Sequence, residues 1–524
     1  MPGLNPYGLF ISAILLMIGT SIIRSGLNLW TVCFISILIT SLLVFNLVKY
    51  EIIDIRQIGL AISLVFFLEL LAIFGQAVGI MPSKSSYFLV TGTFSNPNII
   101  ATFLVSCYPL VIYTLGNSSK GRNLAIVALF LTIGALYLLG SRTAMLGLIG
   151  VITYSIIVKF WQSRKEKLQL SPLILFRAVA AIGLLIISFI SLNSLKTKSS
   201  ESRQLIWLNS LDIIAEQPVW GYGIGSYQRK ISQSLSQYFI EHEDATERDN
   251  FKIPIVTAYN DYIQLSTEGG IIGLGVIISL GGILLWQSKV NDGSIISLKA
   301  CILAVLILSL TNTVIYTLIG GFIAAIVYPV AYDMSDGLCS VKINNKVVKI
   351  GLVGLFSFSC YYLLKLDASL RALQSADALI ENKAYNKALS SLMPLKHILH
   401  NNGKYWNYIG DAFYKKGRLV DARKAYENAI KLNYDPTAFS KIAGIDRKQN
   451  NLDSAIYYNK IAESITPGRL AYSFDLFNLY RAIQDSTQAI KYALRVSHHN
   501  QGDQKTASHY KFFTDNYLSS LNKK

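Results

Sequence analysis

The chain has 524 residues, of which 52% are hydrophobic and only 15% charged, and its mean hydropathy is +0.41. This composition excludes an ordinary soluble protein and predicts an integral membrane protein with a less apolar tail. The net charge of +17 would suit a nucleic-acid-binding protein. The lysines and arginines stand largely in short loops between apolar segments and in the tail, however, so we expect topology signals and a solvated surface, and no nucleic-acid partner.

Apolar segments long enough to cross a bilayer as helices, about 20 residues each, follow one another from residue 4 onward. The first lacks the basic region and cleavage site of a signal peptide, so it is expected to remain as an anchor. The count is about eleven, which predicts an all-α polytopic bundle. The segments are 4–23, 29–48, 57–80, 97–115, 123–140, 143–161, 172–192, 265–286, 296–315, 318–332 and 348–365, with a candidate re-entrant piece at 82–95.

Loop charge predicts the orientation, because short loops rich in lysine and arginine stay in the cytoplasm. Alternate loops are basic, whereas the opposite short loops hold little beyond Arg24, Lys84 and Arg142. The amino terminus is therefore expected inside, and both the 193–264 loop and everything after residue 365 outside. In a cell with two membranes, outside means the periplasm, and the predicted location is then the bacterial inner membrane with these two parts in the periplasm.

Cysteine and histidine positions bear on metal binding. The five cysteines fall in or beside apolar segments without CxxC spacing, which indicates neither a disulfide framework nor a thiolate site. Of the six histidines only His242 precedes the tail, which excludes a histidine-rich centre within the membrane. We expect no metal and no cofactor.

The tail repeats small residues at a spacing of 33 or 34 positions. The period and the aromatic residues between resemble the tetratricopeptide repeat, in which small residues let paired helices pack closely. The resemblance covers residues 370–520, with about four repeats, and implies a domain at 367–524 that binds a protein or peptide. The recurring residues are Ala388, Ala422, Ala455 and Ala489, with Ala376, Gly410 and Ala443 upstream.

Four segments, in this order, are GTFSNPNIIATFL (92–104), LLGSRTAMLGL (138–148), ESRQLIWLNSLDIIAEQPVWGYGIGSY (201–227) and AYNDYIQLSTEGGIIGL (258–274). Their order and spacing, together with the large outside loop, resemble the O-antigen ligase and O-antigen polymerase superfamily, which includes bacterial O-linking oligosaccharyltransferases. The resemblance covers residues 60–335 within a transmembrane domain at 1–366. It implies transfer of a glycan from a polyprenyl diphosphate carrier to an acceptor hydroxyl on the periplasmic face, without metal or nucleotide sugar.

Two arginines suit the leaving diphosphate, because a guanidinium grips phosphate oxygens bidentately and keeps its charge. Arg142 stands at the outer end of a span, and Arg203 begins the amphipathic part of the outside loop. Both are candidate catalytic residues. The alternatives are an interfacial anchor or helix cap for Arg142 and a solvated loop charge for Arg203.

Activation of the acceptor is where the sequence departs from the family, in which a His-Asn pair typically ends the large loop. Here Tyr259 precedes Asn260, and a neutral tyrosine is a poor base, although it can hydrogen-bond a sugar or a phosphate. Tyr259 and Asp261 complete the candidate catalytic set, with Glu268 and His242 as other candidate bases. A strong base is also dispensable if the diphosphate leaves readily.

Other polar and aromatic residues are candidate substrate contacts. Asn96 and Asn98 alternatively cap a helix, and Glu69, inside a span, is alternatively protonated and hydrogen-bonded between helices. The aromatic residues of the turn QPVWGYGIGSY either stack on sugars or anchor the loop at the bilayer surface. The substrate-binding candidates are Asn96, Asn98, Glu69, Trp220, Tyr222, Asn260, Gln264 and Glu268.

The sequence thus predicts a polytopic membrane glycosyltransferase with a periplasmic repeat tail. Its expected partners are a polyprenyl-diphosphate-linked glycan, membrane lipid, an acceptor such as a lipid A core or a protein, and a protein bound by the tail. One alternative is a polysaccharide polymerase of the same superfamily, whose acceptor is another lipid-linked unit. The other is a non-catalytic membrane scaffold or glycan-binding subunit that acts through its repeats.

Overall fold

The computed structural model describes residues 6–25, 28–49, 55–85, 88–94, 96–116, 118–166, 183, 198–285, 293–334, 346–498 and 505–521. Every regular element in these ranges is helical, which confirms the all-α prediction. The helices of the first half are α1 (Pro6–Ser25), α2 (Leu29–Lys49), α3 (Ile55–Ala77), α4 (Pro97–Leu115), α5 (Ser119–Leu138), α6 (Arg142–Glu166), α7 (Lys198–Glu216), α8 (Tyr227–Glu241) and α9 (Asp261–Leu285).

The second half continues with short helices around a π-helical turn at Ile323–Val327 and then with the helices of the tail. Short 3-10 turns lie at Thr246–Asn250 and Met393–Leu395. The helices are α10 (Gly293–Leu308), α11 (Leu318–Phe322), α12 (Tyr328–Met334), α13 (Lys346–Glu381), α14 (Tyr385–Leu392), α15 (Lys396–Leu399), α16 (Gly403–Lys415), α17 (Leu419–Asn433), α18 (Pro436–Lys448), α19 (Leu452–Ile465), α20 (Leu470–Ala482), α21 (Ser486–Ser497) and α22 (Lys505–Leu521).

Four helices in the described ranges are long and apolar enough to cross a membrane: α3, α4, α5 and the stretch Asp261–Leu284. Shorter apolar helices occupy Leu9–Arg24, Trp30–Phe45, Arg142–Val158, Gly293–Leu308 and Gly320–Ala331. The protein is therefore a helical membrane protein. The expected span at 172–192 lies outside the described residues, apart from residue 183, and the count of about eleven stays a prediction.

The first compact unit comprises Met1–Thr197, Gln217–Ile224 and Thr257–Ser359. In it α1 packs along α9, and α10 packs against both α4 and α6. The approach of α6 to α10 depends on small residues, because a Cβ at Gly150 would lie 2.3 Å from Cδ1 of Ile307. The sequence predicts an apolar span to residue 315, but α10 ends at Leu308. The end of that prediction is wrong, because residues 309–317 bond to other parts of the chain, as described below.

The second compact unit comprises Lys198–Glu216, Gly225–Val256 and Cys360–Lys524. Its tail helices pack in consecutive pairs, α16 with α17, α18 with α19 and α20 with α21. The recurring alanines are fully buried between them, as their spacing predicts. Identification of the tail as a tetratricopeptide repeat, and the domain boundary at residue 366, stay predictions. Two pieces of the 193–264 loop belong to this unit, which the sequence did not indicate.

Candidate functional site

Asp261 begins α9 and is 0% exposed. One carboxylate oxygen, Oδ2, accepts hydrogen bonds from the Ser309 hydroxyl at 2.7 Å and from the backbone N–H groups of Val314 at 2.7 Å and Ile315 at 2.9 Å. The other oxygen, Oδ1, is buried and has no hydrogen-bond partner among the described residues. The carboxylate is thus fixed on one side and unsatisfied on the other, which is unusual for a buried acceptor.

These bonds explain why the chain leaves the helical path after Leu308. The backbone N–H of Asp261 donates to the Ser309 carbonyl at 2.9 Å, and the Asn260 side chain donates to the Leu310 carbonyl at 2.8 Å. The beginning of α9 therefore takes up the carbonyl groups at the end of α10, and residues 309–317 form a non-helical polar segment between helices. Irregular backbone among the helices of a membrane protein persists only where its polar groups are satisfied.

Arg142 is brought to this polar segment by its own helix. It is the first residue of α6 and is half-buried, and the hydroxyl of the next residue, Thr143, lies 2.6 Å from that of Thr311. Further buried polar atoms of the same segments have no partner among the described residues. They are Ser141 Oγ, Asn312 Nδ2 and Thr313 Oγ1. We call residues 141–143, 259–268 and 309–317 together the Asp261 site.

Glu268 lies two turns after Asp261 on the same face of α9, about 10 Å along the helix axis. It is 1% exposed, and its Oε2 accepts a hydrogen bond of 2.5 Å from the Tyr316 hydroxyl. The segment 309–317 therefore contacts both carboxylates. Two buried acidic groups on one face of an apolar helix are costly, which makes the face a functional candidate.

Residues 217–224, here called the glycine strap, replace the hydrogen bonds that α9 lacks at a kink. Gly270 has φ 57° and ψ −144°, so the helical ladder is broken there. A Cβ at Gly221 would lie 2.4 Å from the backbone of Glu268, so the close approach requires glycine. The replacing bonds are Tyr222 N–H to Thr267 O at 3.0 Å, Gly223 N–H to Glu268 O at 2.8 Å and Ile271 N–H to Pro218 O at 2.9 Å.

The beginning of the chain holds the strap in place. Arg24 donates to the Gly221 carbonyl at 2.6 Å and to the Gln217 side chain at 3.2 Å, and Asn28 donates to the Ile224 carbonyl at 2.6 Å. The sequence predicts Arg24 only as a loop charge and indicates neither this role nor the roles of Ser309, Thr311 and Tyr316. The available signals were polar residues at the ends of apolar segments on the predicted outer side.

Tyr259, Asn260 and Gln264 surround the start of α9. Tyr259 has φ 52°, in the left-handed region. Oδ1 of Asn260 accepts from the backbone N–H of Ile263 at 3.1 Å, and Oε1 of Gln264 accepts from that of Ala258 at 3.1 Å. These amide groups therefore stabilise the turn that presents Tyr259 and Asp261.

Other candidates lie in different surroundings. Arg203 is half-buried on α7 and belongs to the second unit, whereas Arg142 belongs to the first. His242 ends α8 in the second unit, is exposed, and stacks on the Tyr238 ring at 4.4 Å. Trp220 on the strap is 44% exposed.

Glu69 and Asn96 bond to the backbone near the start of α4. Glu69 is buried, and its carboxylate accepts from the backbone N–H of Thr93 at 3.0 Å and from the hydroxyl of the same residue. Asn96 caps α4 by accepting from the backbone N–H of Asn98 at 2.9 Å. Their observed contacts are thus structural, and a role in substrate binding stays a prediction.

The described residues include no group of three or more His, Cys, Asp or Glu side chains that could hold a metal ion. The Asp261 site instead offers a half-buried guanidinium, two buried carboxylates and several hydroxyl and amide groups. Such a set can bind phosphate at the guanidinium and hydroxyl groups at the carboxylates.

A family model described as O-antigen ligase matches residues 127–278. The comparison with curated proteins finds no match. The matched stretch runs from within α5 into α9 and contains Arg142, the glycine strap, Asp261 and Glu268. The family consists of membrane glycosyltransferases and polymerases, which agrees with the apolar helices and with the polar site described above. Residues 127–278 of the chain therefore match the O-antigen ligase family, and this match supports the O-antigen ligase superfamily.

Proposed function

We propose that this protein moves a glycan from a polyprenyl diphosphate carrier to an acceptor hydroxyl on the periplasmic face of the bacterial inner membrane. The family supports a glycosyltransferase or polymerase in general, and loop charge supports the periplasmic side. One observation carries the proposal. The hydrogen bond between Thr143 and Thr311 joins the helix that begins with Arg142 to the segment that holds Asp261, which supports a site that contains both a cation and a carboxylate.

Arg142 would bind the diphosphate of the donor. The leaving group gains negative charge as its bond to the anomeric carbon breaks, and a fixed guanidinium stabilises that charge more than it stabilises the bound donor. The start of a helix adds backbone N–H groups that favour an anion. Arg203 is the proposed second ligand of the diphosphate.

Asp261 would receive the proton of the acceptor. The acceptor oxygen forms its bond to the anomeric carbon while the bond to the diphosphate breaks, and the hydroxyl proton passes to Oδ1, the oxygen without a partner. The three bonds to Oδ2 keep the carboxylate oriented. Tyr259, Trp220 and Tyr222 are the proposed contacts with the glycan, and the acceptor is an envelope glycolipid or protein.

The test measures release of polyprenyl diphosphate from a lipid-linked oligosaccharide by the purified protein in liposomes, with a mixture of envelope acceptors. Arg142→Ala is expected to lower the rate by about 100-fold or more. Arg122→Ala is the matched control, because Arg122 is an exposed arginine in the first turn of α5 and lies on the predicted cytoplasmic side. It is expected to keep the wild-type rate.

Asp261→Asn keeps an oxygen for the backbone donors but removes the base, so we expect a loss of about 10²–10⁴-fold. A wild-type rate in a correctly folded Asp261→Asn protein would exclude Asp261 as the base. Tyr259→His is a third variant. A large gain in rate would indicate that a histidine base has been lost here, whereas we expect little change.

The products distinguish the two activities of the superfamily. A single glycan attached to an envelope acceptor supports the ligase, and a ladder of chain lengths on the lipid carrier supports the polymerase. If no variant and no wild-type protein releases diphosphate while another family member does so in the same assay, the transferase proposal is wrong and the scaffold alternative gains support.

A further inference from the structure

The tail of the second unit holds part of the large loop through a buried ion pair. Arg248, in the 3-10 turn Thr246–Asn250, donates to both carboxylate oxygens of Glu463 on α19 at 3.0 and 2.9 Å. Their side chains are only 8% and 5% exposed. Arg495 on α21 donates to the same carboxylate at 2.8 Å. Both bonds from Arg248 come from one nitrogen, Nη2. A buried pair of this kind depends on geometry, because Arg248 without Glu463 would be an unpaired buried charge.

Further contacts make this docking extensive. Ser236 on α8 and Ser464 on α19 lie with their hydroxyl oxygens 2.6 Å apart in a buried contact. Gly468 donates its backbone N–H to the Phe251 carbonyl at 3.0 Å, and a Cβ at Gly468 would lie 2.6 Å from the Asp249 carbonyl oxygen. The tail helices that pack against α8 include α17 and α19, the second members of their pairs. The loop therefore occupies that face of the tail.

The same loop helix is bonded to α7, which contains Arg203. The Ser234 hydroxyl donates to the Asn209 side chain at 2.8 Å, and the hydroxyls of Ser210 and Tyr227 lie 2.8 Å apart. The turn Thr246–Asn250 also packs against α7. Hydrogen bonds thus run without interruption from the tail through α8 to the helix that contains Arg203.

We infer that the tail positions Arg203, with Arg248 as a positioning residue that acts through α7. The inference rests on the proposed function, because Arg203 is there a ligand of the donor diphosphate. The tail is accordingly a structural part of the enzyme, in addition to any partner it recruits. Removal of the Arg248 side chain leaves Glu463 paired only with Arg495 and lets the loop move relative to the tail.

The first measurement needs no substrate. Hydrogen exchange of the full-length protein in liposomes reports how firmly α7 and residues 225–256 are held. Arg248→Ala is expected to raise the exchange rate of both by about tenfold. Arg371→Ala is the matched control, since its ion pair with Asp367 is 75% and 54% exposed on α13 of the same unit. This substitution should leave the exchange rates of α7 and residues 225–256 unchanged.

The second measurement is release of polyprenyl diphosphate. We expect Arg248→Ala to raise KM for the lipid-linked oligosaccharide in the same way as Arg203→Ala, and the double variant to be no worse than Arg203→Ala alone. Additive losses would mean that Arg248 does not act through Arg203. They would overturn the inference even though the transferase itself were active.

A disulfide cross-link between α8 and α19 tests whether the Arg248→Ala protein can be rescued. Ser236→Cys with Ser464→Cys places two sulfurs where the hydroxyl oxygens are 2.6 Å apart, which suits a disulfide. In the Arg248→Ala protein the oxidised pair should restore slow exchange and the wild-type KM, and a reductant should reverse both. Unchanged exchange of α7 in Arg248→Ala would overturn the inference. If Arg248→Ala alters the exchange but the wild-type protein releases no polyprenyl diphosphate, the docking of the loop on the tail is supported and only the transferase proposal is refuted.

Discussion

Single side chains decide how firmly the outside loop is bound to the tail, and Glu243 is an example. It forms an ion pair with Lys491 on α21, and its neighbour Asp244 lines the cleft between residues 243–249 and α21. The hydrogen bond from Lys491 lowers the pKa of the Glu243 carboxyl below its usual value of 4.5. A pKa that is depressed on folding stabilises the folded state above the unfolded value and loses that effect as the pH falls.

We therefore predict that this end of the loop loosens on acidification. A nitroxide on Asp244→Cys should show constant mobility from pH 8 to about pH 5 and increasing mobility below about pH 4.5. Adding Glu243→Gln should give high mobility already at pH 7 and remove the change. A nitroxide on Arg371→Cys reports general acid unfolding, and a parallel rise there would contradict a local cause.

The helix pairs of the tail depend on one close approach. A Cβ at Gly410 on α16 would lie 2.5 Å from the ring of Tyr426 on α17, and that ring is fully buried. Gly410→Ala should therefore force α16 and α17 apart and destabilise them by about 1–3 kcal/mol. Gly444→Ala, in α18, is the matched control, because the nearest atom would be 4.0 Å away.

Since alanine favours a helix more than glycine does, Gly444→Ala should stabilise α18 by about 0.5–1 kcal/mol. Hydrogen exchange of the full chain gives both local free energies of unfolding. Equal effects of the two substitutions would show that the contact with Tyr426 does not limit the packing of this pair.

Some features of the helices were predictable from the sequence, and others were not. The positions of the small residues in the tail follow a period, so the burial of Ala422 and Ala455 was predictable from spacing alone. The kink at Gly270 was not, because the strap residues that complete its hydrogen bonds lie about 50 positions earlier in the chain. Likewise the predicted apolar span runs on to residue 315, and only the contacts with Asp261 show why α10 ends at Leu308.

At the site, sequence reasoning named Asp261 and Glu268 but could not join them to Arg142. That connection depends on a contact between Thr143 and Thr311, two residues without any pattern of their own. The sequence-based prediction also assigned the outside loop to the membrane domain, because a loop is ordinarily assigned to the helices that flank it. Buried polar partners far apart in sequence, such as Arg248 and Glu463, leave no periodic signal.

The whole chain passes between its two compact units five times, after Thr197, Glu216, Ile224, Val256 and Ser359. The loop is thereby divided. Its glycine strap bonds to α1 and α9 in the first unit, while α7, α8 and the turn Thr246–Asn250 pack with the tail in the second. Folding of those loop pieces should consequently require the tail, although they precede it by more than a hundred residues in the chain.

A chain that stops after Ser359 tests this dependence. It lacks α17 and α19, which pack on α8. Because α8 contains the buried apolar residues Ile231, Leu235 and Phe239, residues 198–216 and 225–256 should become sensitive to added protease. The strap should stay protected, because its partners Arg24, Asn28 and the kink of α9 remain. A chain that stops after Ser497 removes only α22, which packs on α20 and α21, and should keep the loop resistant. Resistance of the loop in the shorter chain would mean that the loop folds by itself, and the tail would then be an appendage that the loop merely contacts.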